Sequence, residues 1–142
     1  MTQKEWEEGL KAKVKEERET IKAMDMLELE YDDSDVEEQT VTLKFNTMEW
    51  QSNQFSKIAG AVTAAIMETA IGTMANFIAG NSVTSDMQIS YVSALNMGGK
   101  LTAKIYLVKA GGRVIRTRAE LFDGQTGKLG ATAVASSFRV YG

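Results

Sequence analysis

The sequence predicts an α+β fold in which a curved antiparallel sheet wraps one long apolar helix, with an extra helix in front. Three observations carry that expectation. The run from Phe55 to Gly80 is apolar, lacks proline, and is far too long for a strand. After Gly80 the pattern turns to alternation and keeps it through four segments. Those segments are separated by turn chemistry at Gly98-Gly99, Gly111-Gly112 and Asp123-Gly124-Gln125-Thr126-Gly127. A helix that is apolar nearly all round must be covered, and one curved sheet can cover it.

Taken in order, residues 3–24 read as a helix, with Trp6, Leu10, Val14 and Ile21 near helical spacing among charges of both signs. Residues 1–24 are therefore set apart as an N-terminal helix, and residues 25–142 as the sheet-and-helix domain. Next, Leu27/Leu29/Tyr31 and Val41/Leu43/Phe45 alternate on either side of Asp32-Asp33-Ser34-Asp35, which predicts a hairpin with the acids at its turn. A calcium loop is a second reading of those acids, but the required glycine position, counted from Asp33, holds Glu38. The 55–80 run follows as a single helix. A membrane span is its rival, opposed by Glu68 in mid-run and by Thr63, Thr69, Thr73 and Asn76. Finally Val83–Tyr91, Leu101–Leu107, Ile115–Leu121 and Thr132–Val140 give four strands, expected as an antiparallel meander.

Composition narrows the chemistry. The 142 residues hold no cysteine, proline or histidine, which excludes disulfides, thiolate nucleophiles, His/Cys metal centres and imidazole proton transfer; no metal is expected. No apolar leader opens the chain, so a cytoplasmic location is expected. Residues 1–49 carry a net −8 and residues 50–142 a net +5, which suggests that the body meets an anionic ligand or simply presents a solvated face. The pI near 5.1 argues against nucleic acid, and Gly99-Lys100-Leu101 lacks the hydroxyl residue of a phosphate-binding loop.

Glu68 is the only charged side chain between Lys57 and Asp86. Its neighbours at helical spacing, Ala61, Ala64, Gly72 and Ala75, are small, so one helix face offers a groove with a carboxylate in it. A carboxylate so placed is a candidate general base or nucleophile. Two structural readings stand beside it: an ion pair with Arg118 or Arg139, and close helix packing on the small residues. Just upstream, Asn53 to Ala61 lies at the helix N-terminus, where free N–H groups suit an anion or a developing oxyanion and Gly60 allows close approach.

The same segment resembles the pattern N-x-x-G-x-x-H-G-G, followed by an acid on the helix, of hot-dog acyl-CoA thioesterases of the phenylacetate-degradation and 4-hydroxybenzoyl-CoA type. Asn53 takes the asparagine place, Gly60 the first glycine of the pair, and Glu68 the acid. Thr84 to Tyr91 resembles the strand after the helix, and Lys109-Ala110-Gly111-Gly112-Arg113 and Thr126 to Ala131 the later turns; the resemblance covers about residues 25–141. Three positions depart from it: Ser56 and Ala61 replace glycines, and Ala59 stands where the family has histidine.

The resemblance implies a hot-dog fold and thioester hydrolysis, with no cofactor beyond the coenzyme A that the substrate carries. It implies that the Gly60 N–H polarises the thioester oxygen, that Glu68 attacks or activates water, that Asn53 orients the water or substrate, and that Thr84 assists with its hydroxyl. Ala61 would line the substrate site, and Lys109, Arg113 and Arg116 are candidates for the coenzyme A phosphates. Gly60 and Glu68 are eight residues apart, roughly 12 Å along a helix, whereas both must come within about 3 Å of one reacting group. Two antiparallel copies resolve this, so a homodimer with interfacial sites is expected, paired into a dimer of dimers. The alternative is a non-catalytic hot-dog protein that binds an acyl-CoA or related ligand. Hot-dog hydratases resemble one another in an Asp/His pair that this chain cannot supply.

Overall fold

A computed structural model describes residues 1–141. Its elements are α1 (Gln3–Thr20), α2 (Lys22–Met26), β1 (Glu30–Asp35), β2 (Thr40–Asn46), a 3-10 turn (Glu49–Gln51), α3 (Gly60–Ala79), β3 (Ser82–Tyr91), β4 (Lys100–Ala110), β5 (Val114–Phe122) and β6 (Leu129–Arg139). The strands form one antiparallel sheet in the order β1-β2-β4-β5-β6-β3, and α3 packs along its concave face. This is the hot-dog arrangement expected from the sequence. Ile66, Met67, Ala70, Ile71 and Met74 of α3 are fully buried against Leu43 and Phe45 of β2, Leu101 and Ile105 of β4, and Ile115 and Leu121 of β5. By length and composition α3 would suit a membrane, but half of it is already buried in this fold, as befits a core helix.

Four boundaries differ from expectation, each for a local reason. The 3–24 helix breaks at Ile21, whose extended backbone ends α1 and starts the single turn of α2. The acids Asp32, Asp33 and Asp35 belong to β1 itself; the turn is 36–39, where the Asp35 carboxylate accepts the N–H groups of Glu37 and Glu38. The long helix starts at Gly60 and not at Phe55. Lastly, the four later strands are not a simple meander: β4, β5 and β6 are, but β3 lies beyond β6 at the sheet edge. The 92–99 link makes that crossing possible. It tucks Leu95 into the core, and its approach to β6 is so close that a Cβ on Gly130 would collide with the Leu95 side chain.

A capping box between Thr2 and Glu5 starts α1. The helix buries Trp6, Leu10 and Val14 in the same apolar cluster as α3; Trp6 packs edge-on to Phe77 at 5.1 Å and donates its indole N–H to the Thr40 carbonyl. One turn further, Glu17 is only 3 % exposed, and neither carboxylate oxygen has a hydrogen-bond partner. It faces Thr73 and Asn76 of α3, with Lys13 and Glu16 on its own helix, and the Thr73 hydroxyl is already donated to the Thr69 carbonyl. Burial pushes the Glu17 carboxyl up to about 7 from an ordinary 4.5, against the weaker opposing pull of Thr73, Lys13 and Asn76. A carboxyl raised on folding stabilises fully below its unfolded value, and that stability is lost as pH rises from about 4.5 to about 7, at most about 3 kcal/mol. Glu17→Gln keeps the shape and removes the ionisation. The wild type is expected to melt several degrees lower at pH 8.5 than at pH 5, and the variant to lose most of that difference; equal differences in the two proteins would contradict this.

Candidate active site

The segment ahead of α3 is a loop built around Asn53. Its Oδ1 accepts the N–H groups of Phe55 (2.9 Å) and Lys57 (3.1 Å), and its backbone exchanges hydrogen bonds with Ser56 and Lys57. The side-chain oxygen is thus committed to the loop, leaving Nδ2 as the donor that can meet a ligand. Ser56 holds φ at +57°, a conformation that glycine adopts without strain, which explains why glycine suits this place in the resembled pattern. The loop is tied to the 92–97 segment. Ile58 N–H donates to the Leu95 carbonyl, and Lys57 Nζ donates to Asn96 Oδ1.

Asn96 is in turn held by Asp123 of the β5–β6 turn, which accepts the Asn96 backbone N–H and Nδ2 and also the N–H groups of Gln125 and Thr126. Burial alone would push the Asp123 carboxyl up. The N–H groups and side chains of Asn96 and Thr126 outweigh it and hold the carboxyl well below the usual range.

No side chain caps α3. The cap residue is Ala59, so the first-turn N–H groups of Gly60, Ala61 and Val62 meet no side-chain cap, and Gly60 lines a cleft of about 510 Å³ with Asn53, Phe55, Tyr91 and Leu95, among others. Two turns along, Glu68 is exposed and accepts the Thr84 hydroxyl at 2.8 Å. Glu68 and Thr84 share a second cleft, of about 380 Å³, with Ile21, Met24, Gly72 and Val83. Asn53 and Gly60 therefore come together, and so do Glu68 and Thr84, but the two pairs line separate clefts. The isolated chain does not bury Glu68 as the helix groove suggested, and Ala75 of the supposed groove is fully inside the core. Neither expected arginine partners it. Arg118 stacks 3.5 Å over the Tyr106 ring, and Arg139 Nε donates to the Gly111 carbonyl.

Ala61 is exposed on the first turn of α3, beside the 510 Å³ cleft but not lining it. Lys109, Arg113 and Arg116 lie at the β4–β5 hairpin and line neither cleft; Lys109 pairs with Arg116 across a bulge, and Arg116 donates to Ser136 Oγ. Part of the basic body is neutralised internally, since Lys100 pairs with Glu30 at 2.7 Å and Lys104 approaches Glu38 at 3.8 Å. Sequence reasoning missed Tyr91, whose hydroxyl donates to the Gly60 carbonyl at 3.0 Å, and missed the Asp123–Asn96–Lys57 chain. The first had a weak signal, an aromatic closing an alternating strand; the second had none, because its members are far apart in sequence.

The profile of the thioesterase superfamily matches residues 55–129, just over half of the chain. No curated protein matches the sequence. Among solved structures, the PaaI protein of the phenylacetic acid degradation operon of E. coli is 19 % identical over 94 % of this chain and 97 % of its own, with a TM-score of 0.80. Thioesterase superfamily member 2 from Mus musculus is 17 % identical, covering 92 % and 97 %, at a TM-score of 0.77. A mutant of the phenylacetic acid degradation protein PaaI from Thermus thermophilus is 20 % identical, covering 82 % and 97 %, at 0.72.

Proposed function

The chain belongs to the thioesterase superfamily, and from that premise we propose that it hydrolyses acyl-CoA thioesters at sites shared between two antiparallel copies. The observation that carries this reading is the separation of the two half-sites: an uncapped first turn of α3 beside Asn53, and Glu68 with the Thr84 hydroxyl in a different cleft. On one helix they are about 12 Å apart, so a single chain cannot apply both to one carbonyl.

Two features support pairing. β3 ends the sheet, so one edge of a ten-residue strand is left without a partner, and the face of α3 beside it carries the exposed Ala61, Ala65 and Glu68. A second copy joined at that edge in antiparallel sense brings Gly60 and Asn53 of one chain toward Glu68 and Thr84 of the other. It also desolvates Glu68, which strengthens it as a base or nucleophile. The Gly60 N–H then polarises the thioester oxygen, the Asn53 amide orients water or substrate, and Glu68 attacks the carbonyl carbon or takes a proton from the attacking water. On the general-base route the proton taken by Glu68 passes to the departing coenzyme A thiolate. On the nucleophilic route the thiolate leaves a mixed anhydride on Glu68, and water then cleaves it, restoring the carboxylate, releasing the acid and supplying the proton to the thiolate. Lys109, Arg113 and Arg116 are the cations offered to its phosphates. Two such dimers pair into a tetramer.

A panel of aromatic, short-chain and long-chain acyl-CoAs, with thiol release as the readout, tests the reading. Turnover of at least one class above the spontaneous rate is expected, from a protein that sizes as a dimer or tetramer. Binding without turnover on every class leaves the second reading, a ligand-binding protein, which Ala59 in place of the family histidine favours. Thr84→Val replaces the hydroxyl that meets Glu68 with a methyl group and is expected to lower kcat about tenfold with little change in melting temperature; unchanged kcat would remove Thr84 from the site.

A further inference from the structure

The first turn of α3 is held by a side chain from the far end of β3. Tyr91 Oη donates to the Gly60 carbonyl at 3.0 Å, and the Tyr91 ring lies against Gly60, where an added Cβ would stand 3.6 Å from it. The Gly60 carbonyl belongs to the same rigid, planar peptide unit as the Ala61 N–H, and the two bonds point in opposite directions within that plane. Fixing the oxygen fixes the direction of the N–H. Because Ala59 supplies no side-chain cap, the Ala61 N–H remains open at the helix N-terminus. Hydrogen bonding at the oxygen also polarises the peptide and strengthens the N–H as a donor.

We infer that Tyr91 is a positioning residue that aims the Ala61 N–H, making this amide a second donor to the thioester oxygen beside that of Gly60. The inference rests on the thioesterase reading for its catalytic consequence but not for its geometry. Tyr91 is the last residue of β3, and the 92–97 loop that follows is anchored to Gly130 and Asp123, so the hydroxyl has a fixed base from which to act. The Gly60 carbonyl lies in the helical ladder of α3, and the Tyr91 hydroxyl adds to it a donor from outside the helix.

Tyr91→Phe tests it, since the variant keeps the ring against Gly60 and removes only the donor. The expected result is a fall in kcat of about tenfold with KM nearly unchanged, because the lost interaction matters most when charge develops on the oxygen. An unchanged melting temperature separates this from loss of fold. In parallel, the backbone amide resonance of Ala61 is expected to shift in the variant, while amides at the other end of α3 stay in place. Wild-type kcat in the variant, or a fall carried by KM alone, overturns the catalytic role; an unmoved Ala61 amide overturns the positioning. If the wild type turns over no acyl-CoA, the thioesterase reading fails and the catalytic role with it, while the amide measurement still decides the positioning.

Discussion

Glu68→Gln is expected to lower kcat on the best acyl-CoA by about a thousandfold, close to 4 kcal/mol of transition-state stabilisation. The substitution preserves shape and an acceptor for the Thr84 hydroxyl, which lies 2.8 Å from Glu68 Oε1. It removes the negative charge that either attacks or accepts the proton. In the isolated chain Glu68 is exposed and, among the described residues, makes no ion pair, so the chain folds without its charge; the dimer, which desolvates the carboxylate, should melt at the same temperature or slightly higher in the variant. KM should also stay nearly constant, because an amide in place of the carboxylate leaves ground-state contacts with the acyl group intact. Equal kcat for variant and wild type across the acyl-CoA panel would remove Glu68 from the reaction.

Mixing two inactive variants provides the second large effect. Asn53→Ala removes the acceptor of two loop N–H groups and the amide donor in the cleft, and Glu68→Gln removes the carboxylate. Each homodimer then has two defective sites. In a mixed dimer, one site collects both defects, and the other collects the intact Asn53 and Gly60 of one chain with the intact Glu68 and Thr84 of its partner. Random pairing makes half of the dimers mixed, so co-expression is expected to restore about a quarter of wild-type activity. That is a rise of about 250-fold over Glu68→Gln alone. If each site were built from a single chain, co-expression would restore nothing, and the antiparallel pairing would be wrong.

Much of the fold was legible because its signals are local. Alternation found β2, β4 and β5, whose inward residues Leu43, Ile105 and Thr117 are all buried, and the apolar run found α3. Alternation located β6 too but in the wrong phase, since the alternating set with Val134, Phe138 and Val140 is exposed and Ala131, Ala133 and Ala135 face the core. The start of α3 was misread for a physical reason. Phe55 and Ile58 fall in phase with the helix, but the Asn53 side chain takes the N–H groups of Phe55 and Lys57 and folds the segment into a turn. The position of β3 was invisible because it depends on a crossing by the 92–99 link, which only tertiary contact at Leu95 and Gly130 determines. Likewise Glu68 stood out by residue type and spacing and Gly60 by its place at the helix start, and Asn53 and Thr84 came from the family resemblance, whereas the division of the four between two clefts is a property of three-dimensional placement. The basic body looked free in sequence because Lys100 and Lys104 meet their acids only across the sheet, from β4 to β1 and the 36–39 turn.

Asp123 is seventy residues from Asn53 in the chain but only two side chains away in space, through Asn96 and Lys57. The 53–59 loop and the 92–97 loop therefore lack separate stabilities. The two loops bond to each other, and the 92–97 loop bonds in turn to the β5–β6 turn, so they form one cooperative unit whose opening is a single event. A proteolytic nick or a rise in amide exchange at one of them is felt at the other. The walls of the Gly60 cleft thus loosen together, well before the sheet does.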